Sequence, residues 1–178
     1  VRGVRRITQG EADPAFCLRP NFIAGVQQLA DYGLSCDLCI YHPQLGPTIE
    51  LVRQRPDVQF MLDHIAKPGI AAGALEPWQA QLAELAALPN VSCKLSGVVT
   101  EADHAGWTID QIAPYLRHAL DVFGPERVAF GSDWPVALLA SDYRRWVDAL
   151  ESLTAYLDPQ AQAQLWAGNA QRFYRIES

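Results

Sequence analysis

No stretch of this sequence stays apolar for the roughly 20 residues that cross a bilayer, and no basic-then-apolar leader opens it, so neither a membrane span nor a secretion signal is expected. Basic residues are also short: 14 against 20 acidic ones, for a net charge of −6, never running longer than the pairs Arg5-Arg6 and Arg144-Arg145. That excludes the basic stripe of a nucleic-acid binder and leaves a cytosolic (cytoplasmic) small-molecule enzyme as the expectation. Cysteine is limited to Cys17, Cys36, Cys39 and Cys93, with no second Cys-x-x-Cys pair to complete a tetrahedral zinc site beside Cys36 and Cys39. Those two fall in a run, Ser35 to Ile40, that reads as a strand, where an offset of three turns side chains to opposite faces. Buried free thiols are expected. Nucleotide-binding loops are missing too, since neither Gly-x-Gly-x-x-Gly nor Gly-x-x-x-x-Gly-Lys follows the first strand.

What is present is enough apolar material for one core: 49% of the 178 residues are hydrophobic. The order along the chain is strand then helix, five times. Val1 to Ile7 is the first apolar run, and it starts without a cap or turn before it, so it reads as a cut strand. A helix follows from Pro20, with Phe22, Val26, Leu29 and Ala30 at helical spacing until Gly33, and then a strand from Leu34 to Ile40. Pro47 opens a short helix ahead of Val58 to Asp63, a run apolar at nearly every position, as in strands buried on both faces of a parallel sheet. Trp78, Leu82, Leu85 and Ala86 form a helical stripe before the strand Val91 to Ser96. Thr108-Ile109-Asp110-Gln111 has the capping-box pattern and starts a helix that ends at Gly124-Pro125. Arg127 to Gly131 is the fifth strand, followed by an amphipathic helix through Tyr143, Trp146 and Leu150 and a last helical start at Asp158-Pro159. Successive parallel strands need crossover helices, so this alternation predicts an α/β fold, either an open doubly wound sheet or part of an eight-stranded barrel; the missing nucleotide loops favour the barrel.

In both architectures chemistry sits at the carboxyl ends of the strands. The polar residues there are Arg5, Tyr41-His42, Asp63-His64 with Lys67, Lys94 to Ser96, and Ser132-Asp133-Trp134. His64 and Asp133 are the sharpest pair, because imidazole can bind a metal or donate to an oxyanion and a carboxylate can take a proton from water. Each also has a plain structural reading, His64 as a satisfied strand-end histidine and Asp133 as a turn residue before Pro135. Arg5 and Lys67 are expected to hold substrate oxygens. Whether Lys94 points into the site depends on strand parity, which the sequence leaves open, and Trp134 is a substrate contact or a lid residue. His118, among Arg117 and Asp121, is expected on a solvated helix face.

Four ordered motifs, Leu62-Asp63-His64-Ile65-Ala66-Lys67-Pro68, Cys93-Lys94-Leu95-Ser96-Gly97, Phe130-Gly131-Ser132-Asp133-Trp134-Pro135 and Gly168-Asn169-Ala170-Gln171-Arg172-Phe173-Tyr174, resemble the amidohydrolase-related family of sugar and pyrone-dicarboxylate lactonases. The resemblance implies a distorted (β/α)8 barrel that hydrolyses lactones. Val1 to Ile7 would then be its fourth strand, with His64 ending the sixth, Lys94 on the seventh and Asp133 ending the eighth. Residues 1–178 would be the carboxyl-terminal portion of one barrel domain, about strands 4 to 8, lacking the first three strands and their His-x-His pair. It implies catalytic roles for Asp133 and His64 and substrate contacts for Arg5, Lys67, Lys94 and Trp134. It also implies either one divalent metal ion, zinc foremost, on His64 and Asp133, or none, because the family holds both kinds of lactonase. The expected partner is a small lactone, with self-association through unpaired strand edges. Rival readings are a metal-dependent decarboxylase or amide hydrolase on the same barrel, and a fragment inactive by itself.

Overall fold

The computed structural model describes residues 1–176. Strands β1 (Gly3–Ile7), β2 (Ser35–Cys39), β3 (Phe60–Leu62), β4 (Val91–Leu95) and β5 (Val128–Phe130) form one sheet. Every neighbouring pair is parallel and the spatial order follows the sequence order. Helices α1 (Pro20–Asp31), α2 (Leu45–Gln54), α3 (Trp78–Ala86), α4 (Ile109–Phe123) and α5 (Tyr143–Thr154) return the chain between and after strands. Two short helices, α6 (Pro159–Ala163) and α7 (Asn169–Tyr174), joined by a π-helical turn, close the described chain. Among the described residues no helix is long and apolar enough to cross a membrane.

The helix starts follow local chemistry. Thr108 accepts a hydrogen bond from the Gln111 amide, Asp142 from that of Arg145 and Asp158 from that of Ala161, each satisfying a donor that the first turn leaves free. Pro20 stands at the start of α1, and Gly33 supplies the left-handed φ of +61° that turns the chain into β2. The strands are a residue or two shorter at one or both ends than the sequence reading, and two boundaries differ for a local reason. Helix α2 begins at Leu45, before Pro47, because a short turn over His42–Gln44 already feeds it. Strand β3 stops at Leu62, because Asp63 to Lys67 leave the extended conformation altogether.

The register gives the sheet two unlike faces. Cys36, Leu38, Phe60, Leu62, Val91, Cys93, Leu95 and Val128 share one face, all buried and all part of the core built with Trp78, Leu82, Leu116 and Trp146 of the helices. Burying each such large apolar side chain is worth about 1.5–3 kcal/mol, which fixes the parity of every strand. The residues in between therefore turn to the other face: Arg5, Asp37 and Met61 side by side, and Lys94 beside Ala129. His118 departs from expectation: it is half-buried on α4, edge-on to the Trp78 ring at 5.5 Å, with Nε2 2.9 Å from the Gln79 carbonyl oxygen. The four cysteines are buried and free.

A charge network occupies the second face, with one oxygen of Asp37 left without a hydrogen-bond partner among the described residues. Lys94 Nζ donates to Asp63 at 2.6 Å and to Asp37 at 2.8 Å, Arg5 reaches the other oxygen of Asp63 at 3.3 Å, and the Tyr174 hydroxyl donates to Asp37 at 2.6 Å. Burial works against the charge on Lys94, but Asp63 and then Asp37 outweigh it and hold its pKa above the ordinary value. The Asp63 side chain has no exposed surface. Lys94→Ala is therefore expected to cost about 3 kcal/mol or more, by leaving a buried carboxylate with only Arg5. Urea unfolding of the two proteins measures it, and an unchanged midpoint would show that the network contributes nothing net.

Candidate active site

Directly after β3 the backbone enters the left-handed region for four residues in succession: His64, Ile65, Ala66 and Lys67 have φ of 57°, 46°, 62° and 47°. None is glycine and Ile65 is β-branched, so the turn costs roughly 1–2 kcal/mol per residue and has to be held by its surroundings. Ile65 and Ala66 are fully buried, the Lys67 amide donates to the His64 carbonyl at 2.8 Å, and the Trp78 indole N–H donates to the Ile65 carbonyl at 2.8 Å. The turn swings the His64 ring over the ends of β4 and β5. Asp133, after β5, is also left-handed at φ 54°, and its carbonyl accepts from the Ala137 amide at 2.8 Å.

Two glycines make the approach possible. A methyl group on Gly97, where φ is 62°, would lie 2.7 Å from Cγ of His64, and one on Gly131 would lie 2.9 Å from Cβ of Ser96. Ser96, with no exposed surface, stands between them with its hydroxyl 2.8 Å from His64 Nδ1. His64 Nε2 faces Asp133 Oδ1 at 3.4 Å. A carboxylate can only accept, so the nitrogen facing it carries hydrogen and Nδ1 accepts from Ser96. Burial first of all, with Lys67, Lys94 and Arg5 adding to it and Asp133 opposing, pushes the His64 pKa down to about 4. Burial thus favours the uncharged ring.

The second oxygen of Asp133 is buried without a hydrogen-bond partner among the described residues and lies 3.9 Å from Lys67 Nζ. Lys67 itself donates to Glu101 at 2.8 Å and to Thr100 at 3.0 Å, so its ammonium stands between two carboxylates. A cleft of about 350 Å³, lined by Tyr41, His42, Pro68, Gly69, Lys67 and Glu101, opens beside it. Trp134 is two-thirds exposed next to Asp133. Lys94 sits deeper, in the charge network around Asp63, and Arg5, with its side chain half-exposed on β1, reaches that network from the edge of the sheet. The structure thus gathers His64, Asp133 and Lys67, leaves Trp134 at the rim, and places Lys94 with two of its three donors already engaged. Ser96 and Asp63 stood in the strand-end polar sets without an assigned role. Glu101 and Thr100 lie in a single 3-10 turn after β4 with no sequence pattern to mark them.

Two groups of donors could be considered for a metal. Cys39, Asp63 and His64 bring ligand atoms within 4.8 Å of one another. This set does not fit a cation: both Asp63 oxygens are taken by Lys94 and Arg5, and burial, then Asp63, pushes the Cys39 thiol up to about 11. His64 Nε2 with Asp133 fits better, because the unpartnered carboxylate oxygen is a buried acceptor in need of a charge.

Gly97→Ala is expected to displace the His64 ring and to destabilise the fold by about 1–3 kcal/mol, since it combines a left-handed φ with a collision. A shifted His64 imidazole signal in NMR spectra checks the first part and thermal unfolding the second.

Comparison with known proteins follows the same lines. The family model described as Amidohydrolase matches residues 1–176. The chain is 37% identical to the L-fucono-1,5-lactonase of Burkholderia ambifaria over 180 residues, covering 99% of the chain and 62% of that protein. It is 41% identical to the L-fucono-1,5-lactonase of Burkholderia multivorans over 191 residues, covering 99% of the chain and 63% of that protein. A crystal structure of an amidohydrolase from Burkholderia multivorans with bound zinc superimposes with a TM-score of 0.95 at 39% identity, covering 99% of this chain and 65% of that one. The chain thus spans 62–63% of the length of these two relatives.

Proposed function

The chain belongs to the amidohydrolase family, and from that premise we propose that it forms the catalytic carboxyl-terminal part of a lactone hydrolase acting on sugar lactones or related cyclic esters. The observation that carries the reading is the buried Asp133 carboxylate, with one oxygen against His64 and the other without a hydrogen-bond partner among the described residues. In this reading the five strands are the last five of an eight-stranded barrel. The outer edges of β1 and β5, unpaired among the described residues, are then where three further strands close it, or where isolated copies associate.

The reaction follows from the residues. A water beside Asp133 gives its proton to the carboxylate as its oxygen attacks the lactone carbonyl carbon. His64, fixed by Ser96, donates Nε2–H to the carbonyl oxygen as negative charge gathers there. The ring C–O bond then breaks, and the proton held on Asp133 passes to the departing ring oxygen, giving the open hydroxy acid and restoring the carboxylate. Lys67 holds its charge near Asp133 and the substrate oxygens, Trp134 offers an apolar wall, and Arg5, half-exposed at the edge of the sheet, offers its remaining N–H groups to substrate oxygens. Lys94, engaged with Asp37 and Asp63, supports the floor beneath the site. His64, in the alternative tautomer with its hydrogen on Nδ1 toward Ser96, and Asp133 are also the residues that would hold a single divalent ion, zinc in the first place. Such an ion supplies Lewis-acid polarisation and a more acidic water.

Asp133→Asn in the complete protein is expected to lower kcat by about 10²- to 10⁴-fold with KM much less affected. The assay is hydrolysis of a panel of aldonolactones, including L-fucono-1,5-lactone, beside cyclic amides and aromatic carboxylic acids. Full lactone turnover by the variant would remove Asp133 from the mechanism, and turnover of only the amides or acids would replace the substrate class.

A further inference from the structure

Two buried indoles reach from the helical layer to the two loops that carry the site. Trp78, the first residue of α3, donates Nε1–H to the Ile65 carbonyl at 2.8 Å, one residue beyond His64. Trp146, on α5, donates Nε1–H to the Gly131 carbonyl at 2.9 Å, two residues before Asp133. Both side chains are about 1% exposed. We propose that Trp78 and Trp146 are positioning residues, which set the approach of His64 to Asp133 from outside the sheet by clamping one carbonyl in each loop. This rests on the reading of His64 and Asp133 as the reacting pair.

Several observations converge on the clamp. The turn from His64 to Lys67 is left-handed throughout without glycine, so its own backbone preferences oppose it. Its internal hydrogen bond from Lys67 to His64 leaves the carbonyl of the fully buried Ile65 to be satisfied from elsewhere, and Trp78 is the donor that reaches it. The Trp78 ring is itself fixed, with Tyr115 and His118 of α4 at 5.3 Å and 5.5 Å between ring centres. At the other loop, Gly131 is the residue whose lack of a side chain admits Ser96, and Ser96 holds His64. A shift of Gly131 therefore moves both members of the pair. An aromatic ring without N–H would fill most of either space and leave the carbonyl unpaired, so the indole nitrogen carries a role that core packing alone does not require.

The test uses Trp78→Phe and Trp146→Phe in the complete protein, with Leu82→Ala on α3 and Leu150→Ala on α5 as controls that open cavities without touching either carbonyl. Two readouts are taken. Amide hydrogen exchange, corrected for global stability, should accelerate about tenfold or more at Lys67 in Trp78→Phe and at Ala137 in Trp146→Phe, and stay within about twofold of the parent in the leucine controls. Lactone kcat should fall about 10- to 100-fold in each tryptophan variant with KM within about threefold, and the double variant should lose less than the product of the two, because both act on one pair. If Trp78→Phe does not fold, the benzothiophene isostere of tryptophan at position 78, with sulfur in place of N–H, takes its place. Exchange at Lys67 and Ala137 no faster than in the leucine controls overturns the clamp, and so does faster exchange with unchanged kcat in an active parent. A parent that hydrolyses no lactone refutes the functional reading, and the exchange result still decides the clamp.

Discussion

The site depends on a turn that its own residues disfavour. Four consecutive left-handed, non-glycine residues do not persist unless burial and hydrogen bonds outside the turn hold them. Here burial of Ile65 and Ala66 supplies the first and the Trp78 indole the second, while Gly97 leaves the space into which the His64 ring swings. A regular continuation of β3 would send successive side chains to alternate faces of the sheet. The turn instead brings one imidazole across two strand ends to face Ser96 on one side and Asp133 on the other.

Electrostatics divides the open face of the sheet into two levels. Lower down, Arg5, Lys94, Asp37 and Asp63 pair off two against two, and Tyr174 also donates to the Asp37 oxygen that Lys94 holds, so the charges of this level balance although the other Asp37 oxygen has no hydrogen-bond partner among the described residues. Above it Asp133 keeps a buried oxygen with no hydrogen-bond partner among the described residues, and Lys67 approaches it at 3.9 Å while bonding to Glu101. The two levels differ in the cation: Lys94 bonds Asp37 directly at 2.8 Å, whereas no ammonium bonds Asp133 among the described residues, which leaves the Asp133 carboxylate open to a further donor. The same contrast separates the two potential metal donor sets, since the carboxylate of the one is already neutralised by two cations and that of the other is not.

Much of this was legible in the residues. The alternation of apolar runs and helical stripes, the cap at Thr108, the prolines at helix starts and the glycines at Gly33 and Gly124 specify five parallel βα units, because each rests on local conformation or on a short-range period. His64, Asp133 and Lys67 were visible as polar residues just past apolar strands. The four motifs around them pointed to the family.

What the sequence could not decide depends on contacts between distant residues. The parity of Lys94 follows from which face of β4 the helices cover, and only the packed core fixes that. The half-burial of His118 follows from its place beside Trp78, thirty-nine residues' separation from Gln79 notwithstanding. Ser96, Glu101, Trp78 and Trp146 gain their roles from partners on other elements, and the left-handed turn after β3 contradicts the local preferences of its own residues. The sequence by itself therefore determined the order and type of the elements and the chemical groups at the strand ends, since those depend on local propensity and periodicity. The tertiary structure alone decided which of these groups meet, which are neutralised and which stay free, since that depends on non-local packing and on conformations stable only when buried.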